Sequence, residues 1–157
     1  MNDNYQKLFD RAIRILSRRS CSVEIMRKKL LEKGDPELTD RVVDRLVELG
    51  YLNDQNFALS YASNKLSVKA LGKARLKRSL KEKSVPDEII DETLSKVYTE
   101  DEEERLCDQA LGKHLRVYGK PEDQKGAKKL FNYLLRLGFS YDMIMKKIRS
   151  VKLSDME

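Results

Sequence analysis

In 157 residues the chain has no tryptophan, one histidine, two cysteines and three prolines. Each scarcity removes a class of explanation. Cys21 and Cys107 are too few and too far apart for a disulfide framework, and they match no zinc or redox spacing. They are expected to behave as small buried hydrophobes with reduced thiols. The lone histidine, His114, has no partner histidine for a zinc helix and no recognisable nucleophile, so it is expected to be a surface or packing residue. Gly119-Lys120 lacks the earlier glycine and the following Ser or Thr of a phosphate-binding loop, and a Gly-x-Ser-x-Gly turn is missing. No apolar run approaches the roughly 18 residues of a membrane span, and the opening residues are polar rather than signal-like. These absences predict a cytoplasmic protein without enzymatic activity, catalytic residues, cofactor, metal or membrane partner. Strand-like alternation is also missing.

Charge is plentiful. Charged residues make up 37% of the chain and hydrophobic residues 40%, with a formal net charge of +6. Long helices rich in Ala, Glu, Lys, Leu and Arg produce this bias, and the apolar content is sufficient for a core. A basic balance favours acidic partners, nucleic acid among them, but its distribution matters more than its size.

One short phrase recurs three times at the end of an apolar helix. The copies are Leu30-Leu31-Glu32-Lys33-Gly34, Ser79-Leu80-Lys81-Glu82-Lys83-Ser84 and Leu134-Leu135-Arg136-Leu137-Gly138. The turn positions Gly34, Ser84 and Gly138 lie 50 and then 54 residues apart. A period of this size indicates stacked helical modules that share a core. The fold class expected is all-α: three tandem three-helix repeats in an elongated, curved array. The repeats span 1–52, 53–98 and 99–157, the second being the basic one.

Apolar spacing of 3.6 residues places the helices. Leu8, Ala12, Ile15 and Leu16 mark the first. Ser22 caps the second, whose stripe is Met26, Leu30 and Leu31, and Gly34 ends it in the left-handed conformation. Leu38, Val42, Val43, Leu46 and Leu49 mark the third, stopped by Gly50. Asp54 is the expected cap of the fourth helix, which carries Phe57, Ala58 and Tyr61; residues 67–72 interrupt it. Leu76 and Leu80 anchor the fifth, and Val85-Pro86 marks the restart. Ile89, Ile90, Leu94 and Val97 form the sixth. Thr99 and Glu102 are expected to form a capping box for the seventh. Residues 117–124 form a loop. Ala127, Phe131, Leu134 and Leu135 mark the eighth helix, and Ser140 caps a ninth carrying Ile144, Ile148 and Val151. The tail from Lys152 is expected to fray.

The acidic run from Glu100 to Glu104 cannot converge on one point, because consecutive helical residues fan out by about 100°. It suits a solvated helix N-terminus. The cations are different. Lys65, Lys69, Lys73, Arg75, Lys77, Arg78, Lys81 and Lys83 face one acid, Glu82, a local excess of seven that exceeds the whole chain's. Lys73, Lys77 and Lys81 recur every fourth residue, which destabilises an isolated helix by a few tenths of a kcal/mol per pair. So concentrated a single sign marks these eight as the candidate site for phosphate backbones or acidic protein surfaces. No aromatic interleaves them, so a grip by backbone charge with weak sequence preference is expected. Two other readings stand beside it: a helix-turn-helix-like DNA-binding protein, and a helical scaffold for an acidic protein.

Gly50-Tyr51-Leu52-Asn53-Asp54-Gln55-Asn56-Phe57-Ala58, followed by Tyr61, resembles the Gly-Tyr-Leu-Asp-Asp-x-x-Phe-Ala phrase of the RecX family of bacterial recombination regulators. Ser22 through Gly34 is similar to that family's Ser-x-x-Glu-Leu-x-x-x-Leu-x-x-Lys-Gly segment, and Gly72 through Leu80 with Lys83 to its counterpart in repeat two. The chain departs from the pattern at Ile25, Asn53 and Ser84, where the family has Glu, Asp and a turn glycine. The resemblance implies a non-enzymatic modulator, usually an inhibitor, of RecA recombinase. Such proteins bind the groove of the RecA–single-stranded DNA filament, restraining ATPase and strand exchange in DNA repair, recombination and the SOS response. A monomer that contacts RecA and single-stranded DNA is expected.

Overall fold

The computed structural model describes residues 3–99 and 101–154. Among these residues nine α-helices follow one another with no strand: α1 (Asp3–Arg18), α2 (Val23–Leu31), α3 (Pro36–Glu48), α4 (Asp54–Val68), α5 (Lys73–Glu82), α6 (Asp87–Val97), α7 (Glu102–Tyr118), α8 (Gln124–Arg136) and α9 (Tyr141–Ser154). The expected all-α repeat of three helices is present. Two compact units form: residues up to Tyr61 with Leu80–Thr93, and Ala62–Ser79 with Leu94 onward. Helices α4, α5 and α6 each contribute to both.

In the first unit α1, α2 and α3 pack on one another around Leu8, Ala12, Met26, Leu30, Val42, Val43 and Leu46. Ser22 is fully buried; its Oγ accepts from the Ile25 N–H at 3.3 Å and donates to the Lys83 carbonyl at 2.6 Å. One hydroxyl therefore caps α2 and ties it to the turn after α5. Three expectations are corrected here. Asn53, not Asp54, caps α4, accepting from the Asn56 N–H at 3.0 Å. The Asp54 carboxylate instead accepts from the Val23 N–H at 2.9 Å, in the first turn of α2. Gly34 is not among the residues with positive φ. It is small for a different reason: a Cβ there would lie 2.8 Å from Leu8 Cδ2. Leu31 and Leu49 are exposed rather than core: Leu31 lies about 100° round α2 from Leu30, and Leu49 is the C-cap residue beyond the end of α3.

Ser84 does adopt the left-handed conformation, at φ 60°. A residue with a Cβ holds that geometry at a cost of roughly 1–2 kcal/mol. The surrounding backbone imposes it: the Ser84 N–H donates to the Lys81 carbonyl at 2.9 Å and the Val85 N–H to Leu80 at 3.2 Å.

In the second unit α7, α8 and α9 pack together. Leu106, Ala110, Leu130, Leu134, Phe139, Ile144 and Ile148 are buried. Leu130 and Leu134 hold the inner face of α8, while Leu135, expected inside, is exposed. The capping box at Thr99 does not form. Helix α7 starts at Glu102 behind Asp101, which is left-handed at φ 71° and makes no side-chain cap, and the Glu102 N–H bonds the Thr99 carbonyl. Glu100 lies outside the described residues. Ser140 caps α9 through the Met143 N–H at 3.3 Å. Lys147, nearly buried, is held by Glu104 at 2.7 Å and Asp108 at 2.8 Å, joining α9 to α7. Those two bonds keep its ammonium charged despite burial, and Lys147 with Lys146 holds the Glu104 carboxyl below its ordinary value.

Both cysteines are buried and unpaired, and burial raises their thiols, Cys107 to about 11. His114 is a packing residue. Its ring lies between Tyr118 at 4.7 Å and Tyr133 at 5.0 Å. Burial, and then Lys129, lower its proton affinity.

Candidate nucleic-acid interface

The cationic segment is placed by a crossing of two turns. Residues 69–72 join α4 to α5, and Leu137 and Gly138 end α8. The Gly72 N–H donates to the Leu137 carbonyl at 2.8 Å and the Ala74 N–H to the Gly138 carbonyl at 3.3 Å. The Tyr98 hydroxyl donates to the Leu71 carbonyl at 2.7 Å, and burial raises that phenol's pKa. These bonds fix the turn that carries Lys69. Helix α5 has no acid in its own first turn; the Glu103 carboxylate of α7 accepts from the Lys73 N–H at 3.1 Å and serves the positive helix end instead.

Lys65, Lys69, Lys73, Arg75, Lys77, Arg78 and Lys81 are exposed; Lys83 is half-buried. Leu76 and Leu80, fully buried, orient α5 and push its cations outward. Lys69, Arg75, Lys77 and Arg78 form no ion pair among the described residues. Lys81 approaches Asp87 at 3.9 Å, an exposed pair worth little. Lys83 lies over the Tyr61 ring at 6.0 Å.

The cations do not share one face. At about 100° per residue, Lys73, Lys77 and Lys81 occupy one flank of α5, and Arg75 lies about 120–160° round from them. Arg75 instead joins Lys65 and Lys69 on a groove of about 490 Å³. Helix α8 completes it with Arg136 and Tyr133. Neither was expected from sequence. Arg136 does stand inside the recurring helix-end phrase, which is the one signal that could have flagged it. Its proximity to Arg75 follows from Gly138: a Cβ there would meet the Arg75 Cβ at 2.4 Å.

Two family patterns match the chain: "RecX, second three-helix domain" over residues 53–94 and "RecX, third three-helix domain" over residues 100–148. A regulatory protein RecX from Chlorobaculum tepidum is 34% identical over 143 residues, covering 90% of this chain and 86% of the relative. One from Bacillus velezensis is also 34% identical over 143 residues, of which the chain spans only 54% of the relative's length. Among solved structures, the crystal structure of RecX from Lactobacillus salivarius superposes with a TM-score of 0.84 at 24% identity, covering 98% of this chain and 99% of that one. That likeness concerns the fold alone. The two family patterns and the Chlorobaculum relative show that the chain belongs to the RecX family of regulatory proteins.

Proposed function

We propose that this chain is a non-enzymatic regulator, and specifically an inhibitor, of RecA recombinase that binds the RecA–single-stranded DNA filament. Family membership supports the regulatory role. The observation that carries the mode of action is the set of exposed cations on α4, the 69–72 turn and α5, which buried leucines and two crossed turns hold outward. Phosphates on a filament offer repeated negative charge that exposed Lys and Arg side chains can neutralise. Each neutralised phosphate releases counterions, so the grip weakens as salt rises.

The test is RecA ATPase on single-stranded DNA with increasing amounts of this protein at several salt concentrations. Inhibition at low salt that weakens steeply as salt rises is expected. ATPase unchanged at every concentration and salt contradicts the proposal. Binding to one duplex sequence about 10³-fold or more tighter than to others would replace it with the helix-turn-helix reading.

A further inference from the structure

We propose that the groove between α4, α5 and α8 is a binding site for an unpaired nucleobase on single-stranded nucleic acid. The inference rests on the phosphate-binding reading above and adds a base contact to it. The sequence showed no aromatic within the cationic segment; the fold brings one in from α8, more than fifty residues downstream. Tyr133 lines the groove together with Val68, Leu71 and Leu137. Lys65, Lys69, Arg75 and Arg136 surround that apolar floor, and no acidic residue is among the lining side chains.

Val68 makes the arrangement informative. It is the last residue of α4 and 87% exposed, an apolar side chain left in water inside a cationic rim. A duplex keeps the faces of its bases stacked, so it could satisfy the cations but not the floor. A single strand presents both a charged backbone and bare base faces, and such strands are held by cations beside apolar or aromatic platforms. The groove's volume of about 490 Å³ falls in the range of roughly 300–1,000 Å³ typical of small-ligand sites, enough for a nucleotide rather than a helix. An acidic amphipathic peptide fits less well, because it needs anchoring pockets spread over two helical turns. Ser79 stands at the groove as a hydroxyl able to meet a base edge.

Fluorescence anisotropy of the full chain tests this without RecA. The probes are labelled oligothymidylate, an oligonucleotide of the same length and charge made of abasic sites, and a duplex of the same length. Oligothymidylate is expected to bind at least about fivefold tighter than the abasic strand, the low end of one base contact. Val68→Asn, at an exposed position where the fold is safe, is expected to shrink that ratio with the salt slope unchanged. Arg136→Ala is expected to weaken both strands alike and reduce the magnitude of the salt slope by about 0.7. Equal binding of oligothymidylate and the abasic strand, with Arg136→Ala weakening both, overturns the base contact and leaves the phosphate reading standing. A polyglutamate peptide that binds more tightly than oligothymidylate also overturns it, in favour of a protein partner. Failure of the proposed function shows separately, as an unaffected RecA ATPase.

Discussion

The backbones of Gly72 and Gly138 cross so closely that a Cβ on Gly72 would lie 2.3 Å from the Gly138 carbonyl oxygen. Gly138 is left-handed at φ 96° and packs on Arg75 from the other side. Fifty residues earlier than Gly72, Ser22 makes the equivalent contact in the first unit, bonding the carbonyl beside left-handed Ser84. The start of a repeat's second helix thus docks on the turn ending the second helix of the repeat that follows, once through a serine hydroxyl and once through bare glycine backbone. This device holds Arg75 beside Arg136.

Gly72→Ala is therefore expected to destabilise by about 1–3 kcal/mol or more, since backbone rather than a flexible side chain must give way. Gly112 offers the contrast. It lies inside α7, and a Cβ there would meet only Arg116 Nη1, at 3.9 Å. Gly112→Ala should stabilise by about 0.5–1 kcal/mol. Urea unfolding of the two variants checks both signs.

Ser22→Ala removes the α2 cap and leaves the Lys83 carbonyl without its donor, a loss of about 1–3 kcal/mol. Ser84→Gly relieves the left-handed strain and should add about 1 kcal/mol. Opposite shifts in the urea midpoint are expected; a stabilising Ser22→Ala would contradict the role given to that hydroxyl.

Much of this was legible in the sequence, and the misses share a cause. Helix positions, the Ser22 and Ser140 caps and the stop at Gly50 depend on residues within four positions of one another, so local patterns reveal them. Asp54 reaching Val23, Glu103 serving the start of α5, and Arg136 joining Arg75 depend on which turn meets which. Periodicity carries no information about that pairing. The acidic residues looked merely solvated for the same reason: Glu103 and Glu104 act on groups 30 and 43 residues away. The exposure of Leu31 and Leu135 is set by where the apolar faces of α2 and α8 are centred, and that of Leu49 by its place just past the end of α3.

The chain's single histidine permits a clean pH prediction. Burial and Lys129 lower the proton affinity of folded His114 below the ordinary 6.5. The unfolded chain then binds more protons as pH falls through 6.5, so stability declines on acidification and is recovered above it. His114→Phe should flatten the slope of unfolding free energy between pH 7 and pH 5.5. A slope unchanged by the substitution would assign it elsewhere.

The most direct measurement is RecA ATPase on single-stranded DNA with the triple variant Lys73→Glu, Lys77→Glu, Lys81→Glu, alongside a circular dichroism melt. These side chains are exposed, so the helical melt should persist. The account predicts that the variant, folded as before, no longer inhibits RecA. A folded variant that inhibits as strongly as the original chain would contradict the claim that these outward-facing cations grip the filament.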